Sequence, residues 1–287
     1  MREMKKFKFI LGLFAILIAA LAIFFVLRSE NALLTHPKGV IARSELDLIS
    51  INYLLMLMIV IPTFALLFWV VWKYSAKNSR AKYDPDKSHG GFKEVILWII
   101  PLIAIVPMAV ITWYAAHKLD PYQPIGEKQM TIQVVAMDWK WLFIYPEQRI
   151  AAVNWVQFPE KTPIRFELAA DGSPMNSFWI PQLSGQIYAM TGMTTQIHMM
   201  ADGPGIYTGR AAEINGAGFA DMTFIAKSTS MGDFEEWVGK VKESPLQLNE
   251  GIYQELVKPS QKHPIELYSN VESGLFHKIV MKYMHHP

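Results

Sequence analysis

Three long apolar runs dominate the first part of the chain. They extend over Phe9–Leu27, Leu46–Trp72 and Val95–Tyr114. Each run is close to the ~20 residues that an α-helix needs to cross the hydrocarbon core of a bilayer. The pattern predicts an N-terminal membrane helix followed by a transmembrane helical hairpin.

The first run is either a retained anchor or a cleaved signal sequence. It follows four basic residues, which suits both interpretations: Arg2, Lys5, Lys6 and Lys8. The run is longer than a usual signal h-region, and no small-x-small cleavage motif precedes Arg28. The chain also has no cysteine to carry a lipid. We therefore expect a retained helix.

Basic residues between the second and third runs indicate the orientation. They are Lys73, Lys77, Arg80, Lys82, Lys87 and Lys93. By the positive-inside rule, this stretch and the N-terminus are cytoplasmic. An in-out-in-out path then leaves everything after about residue 116 on the outer face. A multi-pass protein of the bacterial inner membrane with a periplasmic C-terminal domain is expected.

After Pro124 the pattern changes to short runs rich in Val, Ile, Thr and aromatic residues. The runs are MTIQVVAM, KWLFIY, AAVNWVQF, TPIRFEL, QIYAM, TTQIHMM and ADMTFIA, separated by Pro, Gly, Asp and Asn. This spacing is typical of an all-β antiparallel sandwich or barrel.

From about residue 230 the spacing becomes helical again. Two stripes carry it: Phe234, Trp237, Val238 and Val241, with Asp233 as a candidate N-cap, and Leu275, Phe276, Ile279, Val280 and Tyr283. Both are too short to span a membrane. The expected domains are an N-terminal signal or anchor helix with an outer loop (1–45), the hairpin (46–116), the periplasmic domain (117–229) and a helical C-terminal arm (230–287).

The composition of the chain excludes several kinds of site. Hydrophobic residues make up 52% and charged residues 18%, which fits a chain with both membrane and water-exposed parts. The formal net charge of +2 gives no field that would favour nucleic acid. The absence of cysteine excludes disulfides, thiolate metal sites and catalytic thiols.

Three phrases resemble the subunit II family of haem-copper oxidases. They are AMDWKWLFIYPEQRIAAVN, MNSFWIPQLSGQIYAM and GRAAEINGAGFADMTF, and with NALLTHPKG they are most similar to the bo-type ubiquinol-oxidising branch. The resemblance covers nearly the whole chain. It implies a cupredoxin-like Greek-key sandwich after the hairpin.

Members that oxidise cytochrome c hold a binuclear copper centre in this sandwich. Matching their motifs assigns the ligand positions to Asn176, Ala211, Glu213, Asn215, Phe219 and Met222. Only Glu213 and Met222 keep the residue type of the copper-bearing members. Bridging two copper ions requires thiolates, completed by imidazoles. We therefore expect a cupredoxin domain without copper, and no metal or other cofactor in this chain.

The missing copper ligands also bear on the electron donor. Without a metal relay in this domain, the resemblance implies that a quinol rather than cytochrome c is the donor and that it delivers electrons directly to haem in subunit I. The resemblance implies that subunit I holds the haems and copper, reduces oxygen and pumps protons. It also implies subunits III and IV and membrane lipid as partners. The chain itself would be a non-catalytic structural subunit of an oxidoreductase.

Glu94 precedes the third apolar run on the inferred cytoplasmic side. A carboxylate here stabilises a helix start by ~0.3 to 1 kcal/mol. The resemblance also places Glu94 at the mouth of a proton channel into subunit I. Both interpretations stay open.

Two further groups could suggest chemistry. Packing and contact with subunit I are favoured over electron transfer for an aromatic cluster comprising Trp139, Trp141, Phe143 and Tyr145.

A second group, comprising His198, Met190, Met193, Met199 and Met200, could suggest copper(I). Strand alternation sends neighbours to opposite faces, so packing is favoured there too. The terminal His285 and His286 are expected to be exposed.

Three functions remain to be distinguished. The favoured one is subunit II of a quinol oxidase, with ubiquinol preferred over menaquinol. The second is a cytochrome c oxidase subunit with binuclear copper, which the missing ligands oppose. The third is a membrane-tethered binding domain unrelated to respiration.

Overall fold

The structure is a computed structural model that describes residues 18, 21, 25, 26, 28, 32–75, 78 and 91–284. Most of the predicted first membrane helix lies outside these residues, as do His285 and His286. The chain divides into two compact units. One is Ser44–Asp120, and the other combines the described residues up to Arg43 with those from Pro121 onward.

Two helices form the first unit and confirm the predicted pair. Helix α1 spans Val40–Lys73 and helix α2 spans Phe92–Lys118. Both are long and apolar enough to cross a membrane. Helix α1 begins six residues before the expected Leu46, because the apolar run starts only after the charged Arg43 and Glu45, which are also helical.

The second unit is a β-sandwich, as the alternating pattern predicted. Its ten main strands are β1 Met130–Met137, β2 Lys140–Tyr145, β3 Ile150–Val153, β4 Trp155–Pro159, β5 Ile164–Ala170, β6 Met175–Trp179, β7 Gln186–Met190, β8 Thr195–Met199, β9 Gly205–Ala211 and β10 Thr223–Thr229. The predicted bounds of β1, β2 and β7 coincide with the observed ones. Strands β6 and β9 were not predicted.

The C-terminal arm adds three helices and three short strands. They are α3 Met231–Lys242, β11 Gln247–Leu248, α4 Glu250–Leu256, β12 Glu266–Tyr268, β13 Asn270–Val271 and α5 Leu275–Met281. The N-cap of α3 is Ser230, not the predicted Asp233, because the Ser230 side chain accepts from the Asp233 backbone N–H at 3.1 Å.

Two sheets face each other in the sandwich. One has the strand order β12-β3-β2-β1-β5-β8, and the other has the order β4-β10-β9-β6-β7. The β1–β5 and β4–β10 pairs are parallel, whereas the other pairs within these two sheets are antiparallel. Neighbours distant in sequence are therefore paired, as in a Greek-key arrangement.

The predicted run AAVNWVQF is two strands, because Asn154 breaks it. Asn154 adopts φ +55°, a left-handed conformation that asparagine tolerates. Its side-chain Oδ1 accepts from the backbone N–H of Trp141 at 3.0 Å, and its Nδ2 donates to the carbonyl of His263 at 2.8 Å. The chain thereby crosses from β3 in one sheet to β4 in the other.

Two apolar cores explain why β2 shows no alternation in burial. Trp141, Phe143 and Tyr145 point between the two sheets, whereas Leu142 and Ile144 point toward the C-terminal arm. All five side chains are buried. The arm covers the outer face of the first sheet with these residues: Leu248, Tyr253, Leu256, Tyr268, Val271, Leu275, Phe276, Ile279 and Val280.

Candidate functional site

The six positions matched to copper ligands lie on β6, β9 and the loop that follows β9. Asn176 is in β6 and Ala211 ends β9, while Glu213 and Asn215 lie in the loop. The remaining two are Phe219, which begins a 3-10 turn (Phe219–Asp221), and Met222 directly after that turn. The loop folds back because the Ala211 N–H donates to the carbonyl of Met222 at 3.1 Å.

Asn215 joins Asn176 to Met222. Its Nδ2 donates to the Oδ1 of Asn176 and lies 2.9 Å from the Sδ of Met222. Asn176 and Met222 are 2% and 0% exposed. The Nδ2 of Asn176 and the Oδ1 of Asn215 are buried without a hydrogen-bond partner. A network of amides and a thioether therefore links three of the six positions.

Ser177, next to Asn176, holds the start of the loop. Its Oγ accepts the backbone N–H groups of Ala212 and Glu213, each at 2.8 Å. The Glu213 carboxylate is turned outward and accepts a hydrogen bond from the hydroxyl of Tyr188. This hydrogen bond raises the pKa of Tyr188, because removing the phenolic proton would place a second negative charge beside Glu213.

Trp139 packs against the part of the loop that contains Gly216 and Gly218. It occupies the β1–β2 turn at φ +64°, and its indole lies against Gly216 and Gly218. A Cβ on Gly218 would sit 2.3 Å from the Trp139 Cγ, so no larger residue fits without displacement. The loop therefore rests directly on the indole face.

The donor set does not fit a binuclear copper centre. The six positions offer two amides, one thioether, one outward carboxylate, one methyl group and one phenyl ring. None supplies the thiolates that bridge two copper ions or the imidazoles that complete the site. Among the described residues, no group of three or more His, Cys, Asp or Glu side chains could hold a metal ion.

The predicted aromatic cluster does not form one surface. Trp141, Phe143 and Tyr145 are each 0% exposed and pack between the sheets, where Trp141 meets Phe178 edge-on at 5.4 Å between ring centroids. Burial raises the pKa of Tyr145 well above its ordinary value. Only Trp139 keeps exposed area that a partner could touch.

The His198 and methionine group is not brought together. The Nδ1 of His198 donates to the carbonyl of Pro121 at 2.9 Å, since a carbonyl can only accept. Met199 lies on the opposite face of β8, in the core between the sheets. The remaining methionine positions are Met190 at the end of β7, Met193 in the next loop and Met200 after β8.

Glu94 is the third residue of α2, and the structure describes its backbone there but not its side chain. Its placement in the first helical turn agrees with both the helix-start and the proton-uptake interpretation. The choice between them stays a prediction.

Sequence reasoning missed the residues that hold the loop. Ser177 and Tyr188 have no motif of their own, and their roles depend on how β6, β7 and β9 align. Gly218 has a sequence signal, because it stands next to the matched position Phe219 and glycine is used where the backbone makes a close approach.

Comparisons with known proteins identify the family of this chain. Residues 113–229 match the family described as cytochrome c oxidase subunit II, periplasmic domain, and residues 242–287 match the COX aromatic rich motif. The chain is 47% identical over 255 residues to the cytochrome bo(3) ubiquinol oxidase subunit 2 of Pseudomonas aeruginosa, covering 88% of this chain and 77% of that one.

A second relative is the ubiquinol oxidase subunit 2 of Acetobacter aceti. It is 44% identical over 251 residues, covering 86% of this chain and 81% of that one. Among solved structures, the periplasmic domain of cytochrome oxidase subunit II from Bradyrhizobium japonicum is similar over 40% of this chain and 95% of that one. It has 19% identity and a TM-score of 0.39.

Two apolar helices and a β-sandwich that matches the periplasmic domain of the subunit II family together define a membrane-anchored oxidase subunit II. The length and the sequence identity of the matches identify the family within this class. The chain belongs to the family of ubiquinol oxidase subunit 2.

Proposed function

We propose that this chain is the non-redox subunit of a quinol oxidase and that its sandwich docks on subunit I to support assembly. The observation that carries the proposal is the hydrogen bond from Asn215 to Asn176, which links amides at two positions where copper-bearing relatives have ligands. None of the six matched positions supplies a group that exchanges electrons at ordinary potentials. The domain's remaining contribution is structural.

The electron donor follows from this loss. A water-soluble protein donor such as cytochrome c would need a relay in the outer domain, and the donor set here offers none. A lipid-soluble quinol reaches the large subunit from the membrane without such a relay. The relatives from P. aeruginosa and A. aceti are subunits of ubiquinol oxidases, which favours ubiquinol over menaquinol as the donor.

The chain is membrane-anchored with a periplasmic domain, and we place it in the bacterial inner membrane. The basic stretch between α1 and α2 supports a cytoplasmic loop, which puts the sandwich on the opposite side. Subunit I, with its haems and copper, is the expected main partner. Subunits III and IV and membrane lipid complete the proposed assembly.

Glu94 has a proposed part in proton uptake. Its place in the first turn of α2, beside the basic loop, puts a titratable group at the proposed cytoplasmic boundary of the membrane. A carboxylate there can collect a proton and pass it inward, toward subunit I.

Purification through a tag on this chain tests the proposal. The expected product contains a haem-bearing large subunit and consumes oxygen with ubiquinol, but not with reduced cytochrome c. A parallel assay of oxygen consumption with menaquinol shows which of the two quinols is the better donor. Oxygen consumption with cytochrome c would overturn the proposed donor, and recovery of the chain without any haem protein would overturn the proposed assembly.

A further inference from the structure

Asp171 is a buried carboxylate that nothing in the proposed function uses. It follows β5 directly, in the loop that leads to β6, and its side chain is 0% exposed. Three donors reach it: the hydroxyl of Tyr253 at 2.7 Å, the hydroxyl of Tyr283 at 2.6 Å and the Nζ of Lys282 at 2.9 Å. All three belong to the C-terminal arm.

These contacts make Asp171 an anchor rather than a chance neighbour. A buried charge without partners costs several kcal/mol, whereas one cation and two hydroxyl donors satisfy it. The hydrogen bond to Asp171 raises the pKa of Lys282, so that side chain keeps its positive charge at neutral pH. The arm and the β5–β6 loop are therefore tied by charge-assisted hydrogen bonds.

A second tie joins the arm to the β1–β2 turn. The Nζ of Lys140, which is 1% exposed, donates to the carbonyl of Lys258 at 2.7 Å and to the Oγ of Ser260 at 2.5 Å. Lys140 directly follows Trp139, whose indole carries Gly216 and Gly218. The arm thus fixes the turn that supports the loop after β9 (residues 211–222), which carries five of the six matched positions and is called the former ligand loop below.

A third contact reaches the β7–β8 loop. Gly192, at φ +71°, lies so close to Tyr283 that an added Cβ would be 3.2 Å from the Tyr283 Cβ. The neighbouring Thr191 N–H donates to the carbonyl of Pro174, in the β5–β6 loop. One residue of the arm, Tyr283, therefore contacts both the β7–β8 loop and the β5–β6 loop, and the β5–β6 loop leads into β6 and Asn176.

We propose that the C-terminal arm braces the β1–β2 turn, the β5–β6 loop and the β7–β8 loop around the former copper positions, with Asp171 as its main anchor. This brace replaces the ordering that metal coordination gives to copper-bearing relatives. Metal binding and folding are coupled in metal sites, so a site that loses its metal also loses a cross-link between its loops. Here protein donors supply that cross-link. The proposal concerns this chain alone and stands whether or not the sandwich docks on subunit I.

Hydrogen exchange on the purified full-length chain in detergent tests the brace with Asp171→Asn. The change keeps the shape of the side chain but removes its charge. We expect amides in the arm (250–257 and 278–284), in the β7–β8 region (186–193) and in the former ligand loop (211–222) to exchange at least about tenfold faster. Amides of β4 (155–159) should keep the wild-type rate.

Glu255→Gln is the matched control, because it removes an exposed carboxylate from the same arm, one that pairs with the side chain of Lys258 at 2.5 Å. It should leave all of these rates unchanged. Faster exchange in the arm alone, with 186–193 and 211–222 at wild-type rates, would overturn the brace. Unchanged rates throughout Asp171→Asn would overturn the anchor.

Tyr283→Phe gives a second route if Asp171→Asn does not fold. It removes one hydroxyl from Asp171 and the hydrogen bond that the same hydroxyl accepts from the Gly172 N–H at 3.3 Å. A smaller acceleration in the same loop peptides supports the brace. An effect restricted to 278–284 contradicts it.

Discussion

The Nδ2 of Asn215 lies 2.9 Å from the Sδ of Met222 while it donates to the Oδ1 of Asn176. The resemblance to copper-bearing members matches these three positions to a thiolate, a thioether and an imidazole, and this matching stays a prediction. The structure has a polar network of two amides and a thioether there. The network makes the site a structural element that can be tested by stability measurements.

Removing Asn215 should destabilise the domain. Asn215→Ala leaves the buried Oδ1 of Asn176 without its donor, which costs about 1–3 kcal/mol. Denaturant unfolding of the full-length chain measures the change. Asn270→Ala, at an exposed position, serves as control and should shift stability by no more than ~0.5 kcal/mol. Equal effects of the two variants would contradict a structural role for the network.

Gly218→Ala should push the former ligand loop away from Trp139. The new Cβ would overlap the indole, and relieving the overlap costs about 1–3 kcal/mol. Gly232→Ala is the control, because nothing lies within 4 Å of its added Cβ and alanine favours the helix. Thermal unfolding compares the two. Equal stability of Gly218→Ala and wild type would show that the loop does not rest on the indole.

Alkaline pH should weaken the attachment of the arm. Burial, then the neighbouring Asp171, raises the pKa of Tyr253 above its ordinary value. The folded chain therefore holds a proton that the unfolded chain releases above about pH 10. The stabilisation is complete below that pH and falls by up to ~1.4 kcal/mol per pH unit above it.

Denaturant unfolding between about pH 8 and 11 measures this loss. Tyr253→Phe removes the titrating hydroxyl, so the stability of this variant should fall less steeply with pH than that of the wild type. The difference in slope should correspond to about one proton, or ~1.4 kcal/mol per pH unit. Lys282 acts in the same direction, since its raised pKa also gives a contribution that disappears as pH rises. Parallel curves for wild type and Tyr253→Phe would contradict the assignment.

Glu94→Ala should slow quinol oxidation without changing assembly. The proposed uptake step needs a titratable group, and alanine supplies none. Steady-state oxygen consumption and the haem content of the purified complex measure the two properties. Glu127→Ala, at an exposed position in the periplasmic domain, is the control and should keep full activity. Wild-type turnover in Glu94→Ala would remove Glu94 from the mechanism.

Local patterns predicted the sandwich strands well where turn residues separate them. MTIQVVAM and KWLFIY are bounded by Gln129, the Asp138–Trp139 turn and Pro146, and both coincide with observed strands. The break at Asn154 was missed because a left-handed asparagine inside an apolar run gives no periodic signal. Strand β9 was missed because Gly205 and Gly209 dilute its alternation.

The six ligand positions were assigned from motif spacing alone, and that assignment stays a prediction. The structure shows that three of them, Asn176, Asn215 and Met222, are in contact. The arm could not be placed in the same way. Its stripes predict an apolar face, and the structure shows that this face covers the first sheet. Asp171 lies in the turn sequence AADGSP, where an aspartate ordinarily faces solvent. Its burial depends on long-range contacts with Tyr253 and Tyr283.

The near-infrared absorption spectrum of the oxidised complex, purified after growth with ample copper, tests most directly whether this subunit lacks a redox centre. We predict no band from a thiolate-bridged copper pair, because no residue at the six ligand positions supplies sulfur as a thiolate. A band of that kind, retained when Asn176 and Met222 are intact and lost when they are replaced by alanine, would contradict a copper-less domain.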